Sequence, residues 1–231
     1  KFGTRILFQP AEEIASGAKW MIEDGATEHL RKILGVHVFP ELPVGKIGIK
    51  EGSLTAAAGE LSVEIKGKSC HGARPYEGID AIWVASKVIS GIQEVITRKL
   101  DPLDPLVITF GKINGGKAYN ILAERVSLLG TVRCTNTDLF DNIGEWLNSQ
   151  ITSICKTCGA ECDVNFKKIT PPVNNDLEIN RIIRESAIDL FGVKNVIELQ
   201  KPSMGAEDFA EFLNHIPGSM FRLGVSSNDQ F

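Results

Sequence analysis

The sequence predicts an α/β fold, with one α/β domain interrupted by a smaller inserted domain of ferredoxin-like βαββαβ order. Strands and helices alternate over residues 1–58 and resume over 170–231, which predicts an α/β domain with a mixed or mostly parallel sheet. Between these segments, 59–169 carries the split-βαβ order. The strands also change character at the boundary, from buried apolar runs to the apolar–polar alternation of a sheet with one wet face.

Taken in order, "KFGTRILFQP" predicts a strand over 3–9 that stops at Gln9-Pro10. A helix is expected over 12–24, with Ile14, Ala18, Met21 and Ile22 on one face, and a short second helix over 27–34. "GVHVFP" and "GKIGIKEG" read as strands. In the inserted segment, "ELSVEIKG" is a strand and 78–100 a helix carrying Ala81, Val84, Ala85, Val88, Ile92 and Val95. "PLVITFGKINGG" and "ERVSLLGTVRC" follow as strands, then a helix over 138–157 and the strand "AECDVNFKKI". This predicts a four-stranded antiparallel sheet with two helices on one face. After the turn "TPPVNND" come a helix over 176–191, the strand "VIELQ", the helix "AEDFAEFLNH" and the strand "SMFRLGV".

A net charge of −4 with no Lys/Arg run argues against a nucleic-acid surface or a polybasic membrane anchor. No apolar stretch approaches the roughly 18–20 residues of a membrane span. Five cysteines, an odd number spread through regular segments, favour a reducing, cytoplasmic setting over a disulfide framework. The chain lacks an initiator Met and opens almost inside a strand, so both ends read as cut.

The adjacent carboxylates Glu12 and Glu13 admit two readings. Acidic residues in a first helical turn complement the macrodipole, at about 0.3–1 kcal/mol each. Alternatively, a strand end feeding a helix is where α/β sheets place ligands, and two carboxylates there can divide the work, one holding a cation and one handling a proton. "CKTCGAEC" (Cys155, Cys158, Cys162) lacks a fourth ligand nearby and fits thiols at a helix–strand junction. No nucleophile elbow, P-loop or dinucleotide fingerprint appears. Of the four histidines, His29 reads as a surface residue and His215 as a helix-ending one. His37 sits on a strand expected beside the Glu12–Glu13 strand end, and His71 in the elaborate loop "KSCHGARPYEGIDA".

Five ordered segments, "FQPAEE", "GVHVFPELPVGKIGIKEGSLTAA", "GKSCHGARPYEGIDAI", "INGGKAYNILAERVSLLGTVR" and "MGAEDFAEF", resemble the metal-dependent aminoacylase and carboxypeptidase family. The likeness is greatest to its N-acyl-amino-acid amidohydrolase branch, which includes hippurate hydrolase and the indole-3-acetyl-amino-acid hydrolases. The resemblance implies a catalytic α/β domain and an inserted lid that forms a homodimer. It implies Glu12 as the general base toward a water held by the metal, and Glu13 and His37 as metal ligands. It implies His71 as the group that reaches across the dimer to stabilise charge on the substrate carbonyl. Asn120 and Arg133 are implied in binding the substrate's carbonyl or carboxylate, and Glu207 and Asp208 in supporting the site. The expected cofactors are two divalent cations, manganese, zinc or cobalt, and the expected substrate an N-acyl amino acid or short peptide.

The family's upstream "H-x-C-G-H-D"-like motif and its final ligand histidine are not found in these residues. His215 precedes "SMFRLGV" and stands too early for the latter. One zinc normally takes three protein ligands plus water, so this chain alone is expected to be inactive or nearly so. Two alternatives stand: a dipeptidase or carboxypeptidase of the same family, and a non-catalytic dimerising module that binds carboxylates.

Overall fold

Ten strands and five helices follow one another over the residues that the computed structural model describes, 3–227. First come α1 (Gly17–Glu23), β1 (Ile33–Pro43), β2 (Ile47–Ile49) and the short β3 (Gly52–Ser53). The middle of the chain gives β4 (Ala57–Lys66), α2 (Ala81–Lys99), β5 (Leu106–Gly115), β6 (Arg125–Cys134), α3 (Thr137–Thr157) and β7 (Glu161–Thr170). The last part gives β8 (Asn174–Asn175), α4 (Leu177–Phe191), β9 (Val196–Glu198), α5 (Ala210–Leu213) and β10 (Gly218–Ser226). The chain divides into two compact units, Lys1–Ala57 with Thr170–Phe231, and Ala58–Ile169.

The first unit is built on a mixed sheet of order β1-β10-β2-β9. β1 runs parallel to β10, β10 antiparallel to β2, and β2 parallel to β9. Neighbouring residues on β10 point to opposite faces. Met220 enters a cluster with Ala18, Ile33, Leu54, Val173, Phe209 and Phe212, which involves α1 and α5. Phe221 packs instead on Ile47, Ile49, Ile179, Ile183 and Ala187, under α4. Asp176 starts α4 by accepting the Ile179 N–H, which satisfies an otherwise orphaned donor.

Two expectations for this unit are corrected. Residues 3–10 form no strand: Ile6 and Phe8 are exposed, and no neighbouring strand supplies a hydrogen-bond ladder among the described residues. The helix expected over 12–24 is broken into a 3-10 turn, Glu12–Ile14, and α1. Ala11 (φ 54°) and Ala15 (φ 51°) adopt left-handed backbone on either side of that turn, which interrupts helical hydrogen bonding. Residues 27–32 are turn and irregular chain rather than helix, with Gly25 (φ 81°) and His29 (φ 62°) left-handed, and Ile33 and Leu34 already belong to β1.

The second unit has strand order β5-β6-β4-β7. With the chain order β4-α2-β5-β6-α3-β7, that is the split-βαβ arrangement. β5 and β6 form an antiparallel hairpin. Asp80 and Asn136 cap α2 and α3 by accepting the N–H groups of Ile82 and Leu139. Leu61, Val63 and Ile65 of β4, Val84, Val88 and Ile92 of α2, and Ile143, Leu147 and Ile151 of α3 are fully buried, as their 2.0 and 3.6 periodicities require.

Candidate metal and proton-transfer site

The site lies in the first unit, where the turn carrying Glu12 and Glu13 meets β1, β10 and the loop before α5. His37 of β1 and Arg222 of β10 are register partners in the parallel pair, so their side chains rise from the same face. Two residues on from His37, the ring of Phe39 seats the Arg222 guanidinium, 5.3 Å from its centroid.

Glu207 and Asp208 reach this face from the loop preceding α5. Both are buried. One oxygen of Asp208 accepts the Ala18 N–H at 3.1 Å, and the other accepts from the Gln9 amide. Both oxygens are committed, and they pin the two ends of the Glu12–Glu13 turn. Gly17 lets that turn close: a Cβ there would sit 1.6 Å from the Pro10 carbonyl oxygen. Glu207 accepts the Phe209 N–H through Oε1 (3.2 Å) and turns Oε2 toward His37 Nε2, 3.9 Å away.

Oxygens of Glu12, Glu207 and Asp208 lie within 4.8 Å of one another. Crowded carboxylates in a partly dry place hold their protons more tightly. Burial, followed by the charges of Glu13 and Asp208, pushes the Glu12 carboxyl above its ordinary range, with His37 and Arg222 pulling the other way. Burial does the same to Glu207, reinforced by Glu12 and opposed by the Phe209 N–H, His37 and Arg222. Burial lowers the proton affinity of Arg222, partly offset by Glu207, Glu41 and Glu12.

The chemistry of these donors suits a divalent first-row cation. His37 Nδ1 donates to the Val38 carbonyl at 2.8 Å. A carbonyl can only accept, so the neutral ring carries its lone pair on Nε2, the atom facing the carboxylates. An imidazole nitrogen with hard carboxylate oxygens is the ligand mixture that zinc, manganese and cobalt accept. Glu13 lies outside the carboxylate trio, exposed beside Glu12.

In the second unit, the loop of His71 is tied to that of Asn120. The Gly72 N–H donates to the Asn120 carbonyl at 2.8 Å, and the Leu122 N–H to the Cys70 carbonyl at 3.0 Å. His71 Nδ1 accepts the Ala73 N–H at 3.1 Å, so the neutral ring carries its proton on Nε2. Arg133 is not brought to this loop. It lies near the far end of β6, paired with Val107, half-buried and without an ion pair among the described residues. Eight residue steps along the strand separate it from Arg125 at the β6 start, about 27 Å at 3.4 Å per step. Burial lowers its proton affinity too.

The thiols Cys155, Cys158 and Cys162 do not gather as a metal group among the described residues. Burial, then hydrogen bonding with Cys162, pushes the Cys155 thiol up to about 12. His29 and His215 are exposed. Two residues escaped the sequence reading. Gln9 carries no signal beyond its place before Pro10. Arg222 had one, a lone cation in the otherwise apolar "SMFRLGV".

A split-βαβ unit inserted in an α/β unit, with a mixed carboxylate–imidazole site, defines a class of hydrolases with metal centres. The model of Peptidase family M20/M25/M40 matches residues 1–231, and the chain belongs to that family. It is 46% identical over 226 residues to a Synechocystis sp. protein named "Probable hydrolase", covering 98% of this chain and 58% of that one. It is 35% identical over 224 residues to N-acetyl-L-cysteine deacetylase of Bacillus subtilis, covering 97% and 53%. Among solved structures, a dinuclear metal-binding peptidase of the M20 family from Bacillus subtilis superimposes with a TM-score of 0.79 at 29% identity, covering 97% of this chain and 56% of the other. The chain thus spans little more than half the length of the relatives it matches.

Proposed function

We propose that this chain is part of a metal-dependent amidohydrolase that cleaves the amide bond of N-acyl amino acids. The observation that carries the proposal is the convergence of Glu12, Glu207 and the His37 Nε2 lone pair, in a chain of this peptidase family. The substrate class is supported by likeness to a relative named for deacetylating N-acetyl-L-cysteine.

In this reading His37 and Glu13 hold divalent metal, with two ions in the complete protein, as in the dinuclear B. subtilis relative. The metal would acidify the attacking water and polarise the carbonyl. Glu12 takes the proton from that water as its oxygen bonds to the acyl carbon. Glu12 then returns the proton to the nitrogen as the C–N bond breaks, leaving a carboxylate and a free amine. Its raised proton affinity suits a group that takes the water's proton and then hands it on. Asp208 holds the turn and Glu207 faces His37, and neither exchanges protons with the substrate.

His71 donates its Nε2–H to the oxyanion from the second copy of a homodimer formed through the inserted lid. Its Nδ1, occupied by the Ala73 N–H, leaves the opposite nitrogen as donor. Asn120, tied to the same loop, contacts the substrate carbonyl, whereas Arg133, at the far end of β6, does not reach the same substrate in its own protomer. No helix among the described residues is long and apolar enough to cross a membrane. The five free cysteines support a cytoplasmic setting.

With two of the three protein ligands that one zinc normally takes, the 231-residue chain by itself turns over little or nothing. The test is a substrate panel run on the protein extended to the length of its relatives. N-acetyl amino acids and hippurate are expected to be hydrolysed, with Glu12→Gln reducing kcat by about 10²-fold or more at unchanged metal content. Preference for free dipeptides would make it a peptidase. No turnover with metal bound would leave a non-catalytic carboxylate-binding module.

A further inference from the structure

We propose that Arg222 is a built-in cation of this site, a fixed guanidinium that balances the carboxylates at a distance and sets how tightly a divalent ion binds. The inference rests on the metal-site reading given above.

Arg222 is 7% exposed, yet among the described residues its guanidinium makes no hydrogen bond and no ion pair within 4.0 Å. A largely buried cation without a contact partner loses hydration that nearby opposite charge must replace. For Arg222 the negative charges of Glu207, Glu41 and Glu12 partly offset that loss. Its seat is built on both flanking strands. Phe39 of β1 lies under the guanidinium. On β2, register-paired Gly48 leaves room for the stem, since a Cβ there would stand 3.3 Å from Arg222 Cβ and 2.7 Å from Leu42 Cδ1.

The stand-off position matters chemically. A bidentate Arg–carboxylate contact would consume the lone pairs that a metal requires. A guanidinium held back on an aromatic ring offsets the repulsion among Glu12, Glu207 and Asp208 while leaving the Glu12 carboxylate free to take a proton and the His37 Nε2 lone pair free for a cation. The same fixed charge opposes an incoming divalent ion, at a half-buried site that screens it less than bulk water does. Arg222 therefore helps hold the carboxylates together and weakens cation affinity.

The test is titration with Mn²⁺, free ion being read by electron paramagnetic resonance at fixed pH and ionic strength. The proteins are the wild-type chain, Arg222→Met and Arg222→Lys. Arg222→Met is expected to bind Mn²⁺ about tenfold more tightly, and Arg222→Lys, which keeps the charge, close to wild type. Wild-type binding with equal or weaker binding by Arg222→Met overturns the inference, as does equal tightening by Arg222→Lys. No binding by the wild type overturns instead the metal-site reading beneath it. Should Arg222→Met not fold, Arg222→Gln is judged by the same criterion.

Discussion

Two histidines with opposite proton placement show how much chemistry single hydrogen bonds decide. His37 gives its Nδ1 proton to a carbonyl and keeps a lone pair for a cation, whereas His71 spends its Nδ1 lone pair on a backbone N–H and keeps a proton to donate. The buried carboxylates lead to a pH prediction. Burial raises the pKa of Glu207 in the folded state, so the group's stabilising contribution is complete below the unfolded value near ~4.3 and is lost as pH rises through the folded value. Glu207→Gln lacks this dependence. In chelator-treated protein its urea midpoint should gain on the wild type between pH 4 and pH 7, and a pH-independent difference would refute the account. Asp208 makes a separate prediction, because both its oxygens accept. In Asp208→Asn one acceptor becomes a donor facing a donor, which should cost about 1–3 kcal/mol and speed hydrogen exchange at the Ala18 amide. Arg222 was legible only as an oddity, since nothing in one strand's sequence reveals the aromatic seat that another strand supplies.

The elements divide sharply by how local their causes are. The helices α2, α3 and α4 were legible because each buries one face and begins at a capping Asp or Asn, so periodicity and caps agree. The turn of Glu12 and Glu13 was not, because its shape comes from contacts distant in sequence: Asp208 grips Gln9 and Ala18, and two alanines accept left-handed backbone. Non-glycine residues in that conformation cost of order 1 kcal/mol or more each and persist where surroundings hold them. The stretch at 3–9 has strand composition but no partner strand among the described residues, and composition cannot supply one. Gly17→Ala should therefore be far worse than a surface Gly→Ala change. The clash with Pro10 is expected to cost about 2 kcal/mol or more and to displace Glu12. A thermal midpoint within a degree of wild type would contradict so tight a closure of this turn.

At the scale of the whole molecule, the two units carry separate parts of the proposed chemistry. One holds Glu12, Glu13, His37, Glu207, Asp208 and Arg222, and the other His71, Asn120 and Arg133. The four-stranded sheet of the second unit is paired within itself, and its helices bury their apolar faces there. A chain of residues 58–169 should fold alone with one cooperative transition, and Leu147→Ala should lower its stability by about 2–5 kcal/mol. The domain order could be read from the sequence because the change in strand character is a composition signal, whereas the carboxylate trio, assembled from residues some 195 positions apart, could not. The central claim is that His37 and Glu13 make a partial metal site beside a carboxylate base. Calorimetric titration of this chain with Mn²⁺ and Zn²⁺, alongside His37→Ala and Glu13→Gln, tests it most directly. The account predicts a single weak site that either substitution abolishes. Two tight sites, or binding that survives both substitutions, would contradict it.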